Sequence, residues 1–508
     1  MKSISRKHPV AAWLAVIFTF LISAQICPSQ ANAFAETKPS DSDDSWQVIF
    51  IGGQRIGYAR TTTRTVKKDG KAIVVTLNET HMTFKRFGQE LKVQMNLRTE
   101  ENQDGEMLRF VSETKNPPAD TVKTIGTVQQ NRLYLEIVIA GRSQKTSIPW
   151  DRDVKAPGYE DRLLRNPPLK PGDKRKFKSF IPELNKITDV SIVAVDMRRV
   201  KLFDGTTREA LQARITQSLL PKMIQRTYLD ENGNTLKTET PILGTTMVTY
   251  SVSKEVALEA IAGQELDIAV STLVRLDKPI RNAHDAQKIV YRITVPELNP
   301  LDYLLKGPTQ SATRVDDDTA ELTVTRLRPD PNARQVRGKP EYMGPTRFLQ
   351  SRDHRVVEHA RRATAGQTNP TQIALSMEKY VNKNLKSKNF STALASAAEV
   401  ARDMQGDCTE HAVLLAAMLR TKKIPSRIAV GLVYSELHAA FAGHMWTEAF
   451  LGGKWLPLDA TMGRGGIGPG HIKLAESSFA DDAPTPLVTM LPLLDILGKM
   501  KIEVVKVE

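Results

Sequence analysis

Cysteine is almost absent from this chain of 508 residues: there are two, Cys27 and Cys408. Two cysteines cannot build a disulfide-stapled scaffold, and a four-cysteine zinc framework is excluded outright. Aromatic residues make up 6% of the sequence and are not interleaved with basic ones in the manner of a nucleic-acid module. Long hydrophobic runs are missing too, and only the N-terminus approaches the length of a membrane span. The bulk composition is ordinary, with 41% hydrophobic and 25% charged residues. That is globular protein, and the length suits about three domains of roughly 100–200 residues each.

Acidic residues are the scarcer charge, which leaves a net +14. The bases fall in short groups such as Lys174-Arg175-Lys176, Arg198-Arg199, Arg361-Arg362 and Lys422-Lys423. Scattered pairs of this kind suit an acidic protein or peptide substrate, or an anionic envelope polymer; nucleic acid is not expected as a partner.

The N-terminus has the layout of a cleavable secretory signal. Lys2, Arg6 and Lys7 precede the apolar residues 10–24, and Ala31-Asn32-Ala33 offers small residues at the cleavage positions. An uncleaved anchor is the rival, but the apolar run is short for a span of about 20 residues. Ile26 before Cys27 excludes a lipoprotein acceptor, which needs a small residue there. Residues 1–33 are therefore assigned to a signal peptide, and a periplasmic or secreted product without a membrane span is expected. Its single thiol, Cys408, would then sit in a compartment that is usually oxidising. Such a thiol is either an inert core residue or a reactive group.

Residues 34–45, rich in Ser, Asp and Pro, look like a linker. From 46 to 256 the signal is β: period-2 runs such as 71–77 and 132–139 are separated by Asp69-Gly70, Asp104-Gly105, Asp204-Gly205 and Asn232-Gly233. Asx-Gly between alternating runs marks antiparallel hairpins. A small β domain is expected over 264–330, with strands at 268–275, 289–295 and 320–326. Pro and Gly residues between 329 and 340 mark the next boundary. From 346 to 420 the period becomes helical. Asn369-Pro370 opens one helix with Ile373, Met377, Tyr380 and Val381 along it, and a second helix running from Cys408 to Arg420 is apolar on nearly every side. Strands at 427–434, 444–450 and 455–459 follow. The fold class is therefore α+β: antiparallel β regions, then a buried helix against an antiparallel sheet over 340–480, then a tail over 481–508.

Chemistry concentrates in this last region. Cys408 follows Gly406-Asp407 at the start of the buried helix, where Asp407 is a favourable N-cap. A helix N-terminus favours a thiolate and presents unpaired amides where an acyl oxyanion would form. A thiolate nucleophile needs a base, and the base needs an orienting acceptor. If Gly452-Gly453 is a two-residue hairpin loop, Asp459 lies opposite Trp446, and His444 and Asp459 share a face as diagonal neighbours about 7–8 Å apart. A three-residue loop would turn Asp459 to the other face. Taken singly, each residue has a bland explanation: a core cysteine, a satisfied strand histidine, an aspartate capping a turn.

Together the residues resemble a family. Gly406-Asp407-Cys408-Thr409-Glu410-His411-Ala412, Ile424-Pro425-Ser426-Arg427, Gly431, His444-Met445-Trp446-Thr447-Glu448 and Trp455-Leu456-Pro457-Leu458-Asp459-Ala460-Thr461 closely resemble the bacterial transglutaminase-like superfamily core, over about residues 340–480. The resemblance implies a papain-like fold with Cys408 as nucleophile, His444 as general base and acid, and Asp459 as orienting carboxylate. It implies acyl transfer on glutamine carboxamides or peptide amides through a thioester, and no cofactor. A cysteine peptidase or amidase of the same fold is the alternative, as is a non-catalytic envelope binding protein with a retained triad. No residue here matches the upstream polar side chain that completes the family's oxyanion hole. His411 with His444 lacks further ligands of suitable spacing, so no metal site is expected. Glu448 is expected to support the site structurally, and residues 463–470, with five glycines but no Gly-Lys-Ser/Thr, to form a mobile loop at its rim.

Overall fold

The computed structural model describes residues 42–508, except 87, 118–120, 140–141, 183, 262–265, 387–394, 482–488, 491–492 and 494. The signal peptide and residues 34–41 of the expected linker lie outside the described residues. Among those described, no helix is long and apolar enough to cross a membrane. The chain divides into two compact units, with the boundary between Asp267 and Ile268.

The N-terminal unit is one sheet of fifteen strands, from β1 (Ser42–Ile51) to β15 (Thr245–Val252), antiparallel except that Val154–Lys155 pairs in parallel with Lys174–Ile181. Strand β1 already occupies residues 42–45, the end of the stretch expected as linker. Hairpins form where the Asx-Gly pairs predicted them. Asp69 and Gly70 both have positive φ, and Lys68 pairs with Lys71 around them, which is a two-residue loop of mirror-image geometry. The strand order begins with β8 (Arg142–Pro149) and ends with β9 (Val154–Lys155), which are consecutive in the chain. Five residue steps span at most about 18 Å, so the two sheet edges must lie close and the sheet must curl round on itself. Inside the curl, Leu164, Val190, Ile192, Leu211 and Ile215 form one core cluster, and Phe110, Leu133, Trp150 and Phe180 another.

The C-terminal unit holds two smaller sheets. One is five-stranded: β16 (Val274–Arg275), β21 (Ala440–Leu451), β20 (Ser426–Ser435) and β23 (His471–Ser477) in that order, with β22 (Lys454–Leu458) also paired to β21. The other orders β18 (Gln310–Arg314), β19 (Thr319–Thr325), β17 (Lys288–Thr294) and β24 (Lys501–Val507). Three expectations change here. Of the strand expected over 268–275, Ile268–Ser271 is a short helix, and only Val274 and Arg275 reach the sheet edge, opposite Phe441 and Ala440. The expected tail supplies β24, whose hydrogen bonds to β17 complete the small sheet. The region expected as a separate small domain is not isolated either. Tyr291 donates to the Pro469 carbonyl (2.8 Å), and the Gln310 amide bonds both N and O of Lys473 (2.8 Å each), so buried polar groups join the two sheets.

The helix Cys408–Thr421 is buried along Cys408–Arg420 and lies on the five-stranded sheet. Thr447 of β21 donates to the Ala412 carbonyl (2.8 Å), and Ser426 of β20 donates to that of Ala416 (2.8 Å). These bonds fix the helix against both central strands. On β23 a register shift opposite Val430 and Gly431 turns His471, Lys473 and Glu476 to the same sheet face as Gly431, His444, Trp446 and Glu448. Gly431 permits this close approach, because a Cβ there would lie 1.9 Å from the Ile472 carbonyl oxygen. Gly431→Ala should therefore cost about 1–3 kcal/mol of stability, read as a lower urea midpoint. An unchanged midpoint would show that β23 is free to move away.

Candidate active site

Asp407 caps the helix that begins with Cys408. Its side chain accepts from Thr409 N (3.1 Å), and Glu410 accepts from Asp407 N (3.0 Å), closing a capping box. Cys408 is thereby fixed at the first helical position, where its own N–H has no acceptor within the helix. Burial, and then the neighbouring Asp407 carboxylate, push the Glu410 carboxyl up to about 8.

The Gly452-Gly453 loop contains two residues with φ of +55° and +78°, and Leu451 pairs with Lys454. This is the register that brings His444 and Asp459 to one face. His444 Nε2 lies 2.9 Å from Asp459 Oδ2. Among the described residues His444 Nδ1 has no hydrogen bond of ordinary geometry, and the Cys408 thiol interacts with the same ring. Burial disfavours the charged imidazole, but the Asp459 carboxylate and Cys408 outweigh it and push His444 up to about 10. Asp459 goes the opposite way: despite burial, His444 above all holds its carboxyl well below the usual range. Cys408, His444 and Asp459 each expose 1% or less of their surface.

Two residues that sequence reasoning missed hold the aspartate. Glu378, inside the helix Pro370–Asn384, accepts from Asp459 N (3.0 Å) and from Gly466 N (3.2 Å) through Oε1. Burial pushes its carboxyl up to about 8. Asn382, one turn later, donates to the carbonyls of Ala460 (3.0 Å) and Thr461 (2.9 Å). The available signal was an acidic residue in the apolar stripe of that helix; the buried stripe is Ala374, Met377, Glu378 and Val381, with Ile373 and Tyr380 only half-buried.

The third missed residue is His471, whose Nε2 lies 3.1 Å from the same Asp459 oxygen. The imidazole nitrogens and the carboxylate of His444, Asp459 and His471 fall within 4.8 Å of one another, a donor set that could hold a metal. Both Nε2 atoms, however, sit at hydrogen-bond distance from an ionised acceptor, so both carry protons that a metal would have to displace. His411 takes another course: its Nδ1 meets the Asp407 carbonyl (2.5 Å) within its own helix.

Around this centre the packing is dense. Trp446 stacks on His444 (6.3 Å between centroids) and meets His471 edge-on (5.4 Å), which keeps water from the His–Asp pair. Glu448 accepts from Arg427 Nε (2.6 Å) and Lys473 Nζ (2.7 Å), tying β21 to β20 and β23. The expected mobile loop is in fact pinned along its second half. Residues 466–470 are buried, with Ile467 packed on Ala429 and Trp446. A cavity of about 480 Å³, lined by Lys339, Glu341, Thr346 and Asp481 among others, includes none of the three central residues.

Several solved structures show weak similarity to this chain. A candidate cysteine protease from Cytophaga hutchinsonii is 19% identical, covering 43% of this chain and 86% of its own, with a TM-score of 0.30. A β-barrel-like protein of unknown function from Brucella abortus is 10% identical over 41% of this chain and 95% of its own, also with a TM-score of 0.30. A candidate protease from Parabacteroides distasonis is 11% identical over 67% and 64% of the two chains, with a TM-score of 0.19. No curated protein matches the sequence. The family model of the transglutaminase-like superfamily matches residues 357–460, from the helix before Pro370 to the residue after Asp459. The segment that carries Cys408, His444 and Asp459 lies within this match to the transglutaminase-like superfamily.

Proposed function

We propose that the chain is a cysteine acyltransferase or amide hydrolase in which Cys408, His444 and Asp459 are the catalytic triad of a papain-like core. The observation that carries this is the two-sided use of one imidazole. His444 gives Nε2–H to a buried carboxylate at 2.9 Å, while its other side is left to a thiol at a helix N-terminus. The Cys408 thiolate attacks the carbonyl carbon of a glutamine carboxamide or peptide amide. The oxyanion that forms is met by the Cys408 N–H. Protonated His444 gives its proton to the departing nitrogen, the C–N bond breaks, and ammonia or an amine leaves behind a thioester. An amine or water then attacks the thioester, His444 takes the incoming proton, and the thiolate returns. Cys408 is 1% exposed, so a substrate acyl group reaches the sulfur only when covering side chains move aside. The N-terminal signal would export the protein, and its basic surface would favour acidic substrates or anionic envelope polymers.

Incubation with a glutamine-containing peptide, with and without a primary amine, tests this. Ammonia release and an acyl adduct on Cys408 are expected, both lost in Cys408→Ala; release that survives this substitution would refute the proposal.

Asp459→Asn should lower turnover by roughly 10²–10⁴, the range known for the orienting carboxylate of serine proteases and its weaker demand in a thiolate enzyme. The buried Asn would also lower the melting temperature, because one side-chain oxygen must serve donors that now meet two, so turnover is to be scored per folded molecule. Near-normal turnover would remove Asp459 from the triad.

The raised His444 value sets the pH dependence. Its folded-state pKa, about 10, exceeds the ordinary value of about 6.5. The stabilisation from its charged form is therefore complete below about 6.5 and lost as pH rises through about 10. Wild type should lose its stability advantage over His444→Gln across that window, and activity should persist to an alkaline limb near pH 10. A limb near 6.5 would contradict the ion pair.

A further inference from the structure

We propose that His471 is a positioning residue that shares the triad carboxylate with His444 and fixes its direction. This rests on the triad function proposed above and extends it to a residue eleven positions beyond the matched family segment. The geometry is specific. Asp459 Oδ2 receives His444 Nε2 at 2.9 Å and His471 Nε2 at 3.1 Å, while Oδ1 receives the N–H groups of Thr461 (2.9 Å) and Met462 (3.4 Å). The backbone amides hold Oδ1, and without His471 the opposite oxygen would have His444 as its only side-chain donor, leaving small rotations about the broad last torsion restrained on that side by one bond. A second imidazole on the same oxygen narrows that rotation. It stands on a different strand, β23, so β21, β22 and β23 all converge on one oxygen atom.

The surroundings keep His471 a neutral donor. It is fully buried, and burial lowers its pKa. The groups facing it are Asp459, His444, Trp446 and His284; Lys473, next on its face of β23, is engaged by Glu448 and Glu476. His284 sits edge-on at 5.3 Å between centroids, with its own Nε2 bonded to the Tyr434 carbonyl (2.9 Å). A Cβ on Gly470 would lie 2.5 Å from the His284 ring, and one on Gly468 would lie 2.0 Å from its carbonyl oxygen. The glycines therefore let His284 close against the strand start that carries His471. A neutral ring protonated at Nε2 can stabilise the carboxylate without competing with the His444 charge. A second imidazolium beside the first would repel it.

The test uses the full-length protein and iodoacetamide, mapping alkylation of Cys408 by mass spectrometry from pH 5 to 10, with melting curves for every variant. His471→Leu removes the donor. It should slow Cys408 alkylation at pH 7 by about 10-fold, the low end for loss of an outer-shell partner, and move the acid limb to higher pH. His471→Gln keeps an N–H at the reach of Nε2 and should restore both. His444→Ala separates the two claims. If its profile coincides with wild type, the triad and the positioning role fall together. If it departs while folded His471→Leu follows wild type, only the positioning role is overturned. Should His471→Leu fail to fold, ¹⁵N-histidine spectra of wild type at pH 7 decide: His471 protonated at Nε2 alone supports the role, and protonation at Nδ1 or at both nitrogens refutes it.

Discussion

Everything in the C-terminal unit that bears on chemistry depends on one buried carboxylate. Asp459 is 1% exposed and would be a liability in an apolar interior if left alone. It is not alone: two imidazoles and two backbone amides surround it. A carboxylate bonded in this way stays ionised well into acid, and its negative charge is what holds His444 protonated at neutral pH. Charge and position are thus set by the same contacts.

The surrounding fold is arranged to keep those contacts fixed. Glu378 holds the backbone of Asp459 from beneath, and Asn382 anchors the two residues after it, so one helix positions the aspartate while another positions the cysteine. The sheet positions the histidines. Its irregularity at Gly431 matters as much as its regular ladder, because a β23 in uniform register would turn His471 and Glu476 to opposite faces. The ionic cluster of Arg427, Glu448, Lys473 and Glu476 then ties the three strands on that face, with Arg427 stacked 4.0 Å over Trp455.

What the sequence made legible was local. The capping position of Asp407, the two-residue Gly452-Gly453 turn and the all-round apolar helix each depend on a few neighbouring residues. From these the approach of His444 to Asp459 follows. His471 was not legible, because its role arises from pairing with a strand forty residues away, through a bulge and after a glycine-rich loop that resembles a flexible rim. Glu378 was not legible either, because its partners are backbone amides some eighty residues on. The run at 268–275 has strand composition but meets the sheet only at its edge, so a local turn prevails over propensity. Strand β24 closes the small sheet across more than two hundred residues, a separation that no periodicity reveals.

The chemistry proposed for this site stands or falls on the charge of one ring. In ¹⁵N-histidine spectra of the wild-type protein at pH 8, His444 should be protonated at both nitrogens and should titrate only as the pH nears 10. In Asp459→Asn the same ring should be neutral at pH 8. A wild-type His444 that titrates near 6.5, or one whose charge is indifferent to Asp459, would contradict the claim that the buried carboxylate prepares the thiolate–imidazolium pair.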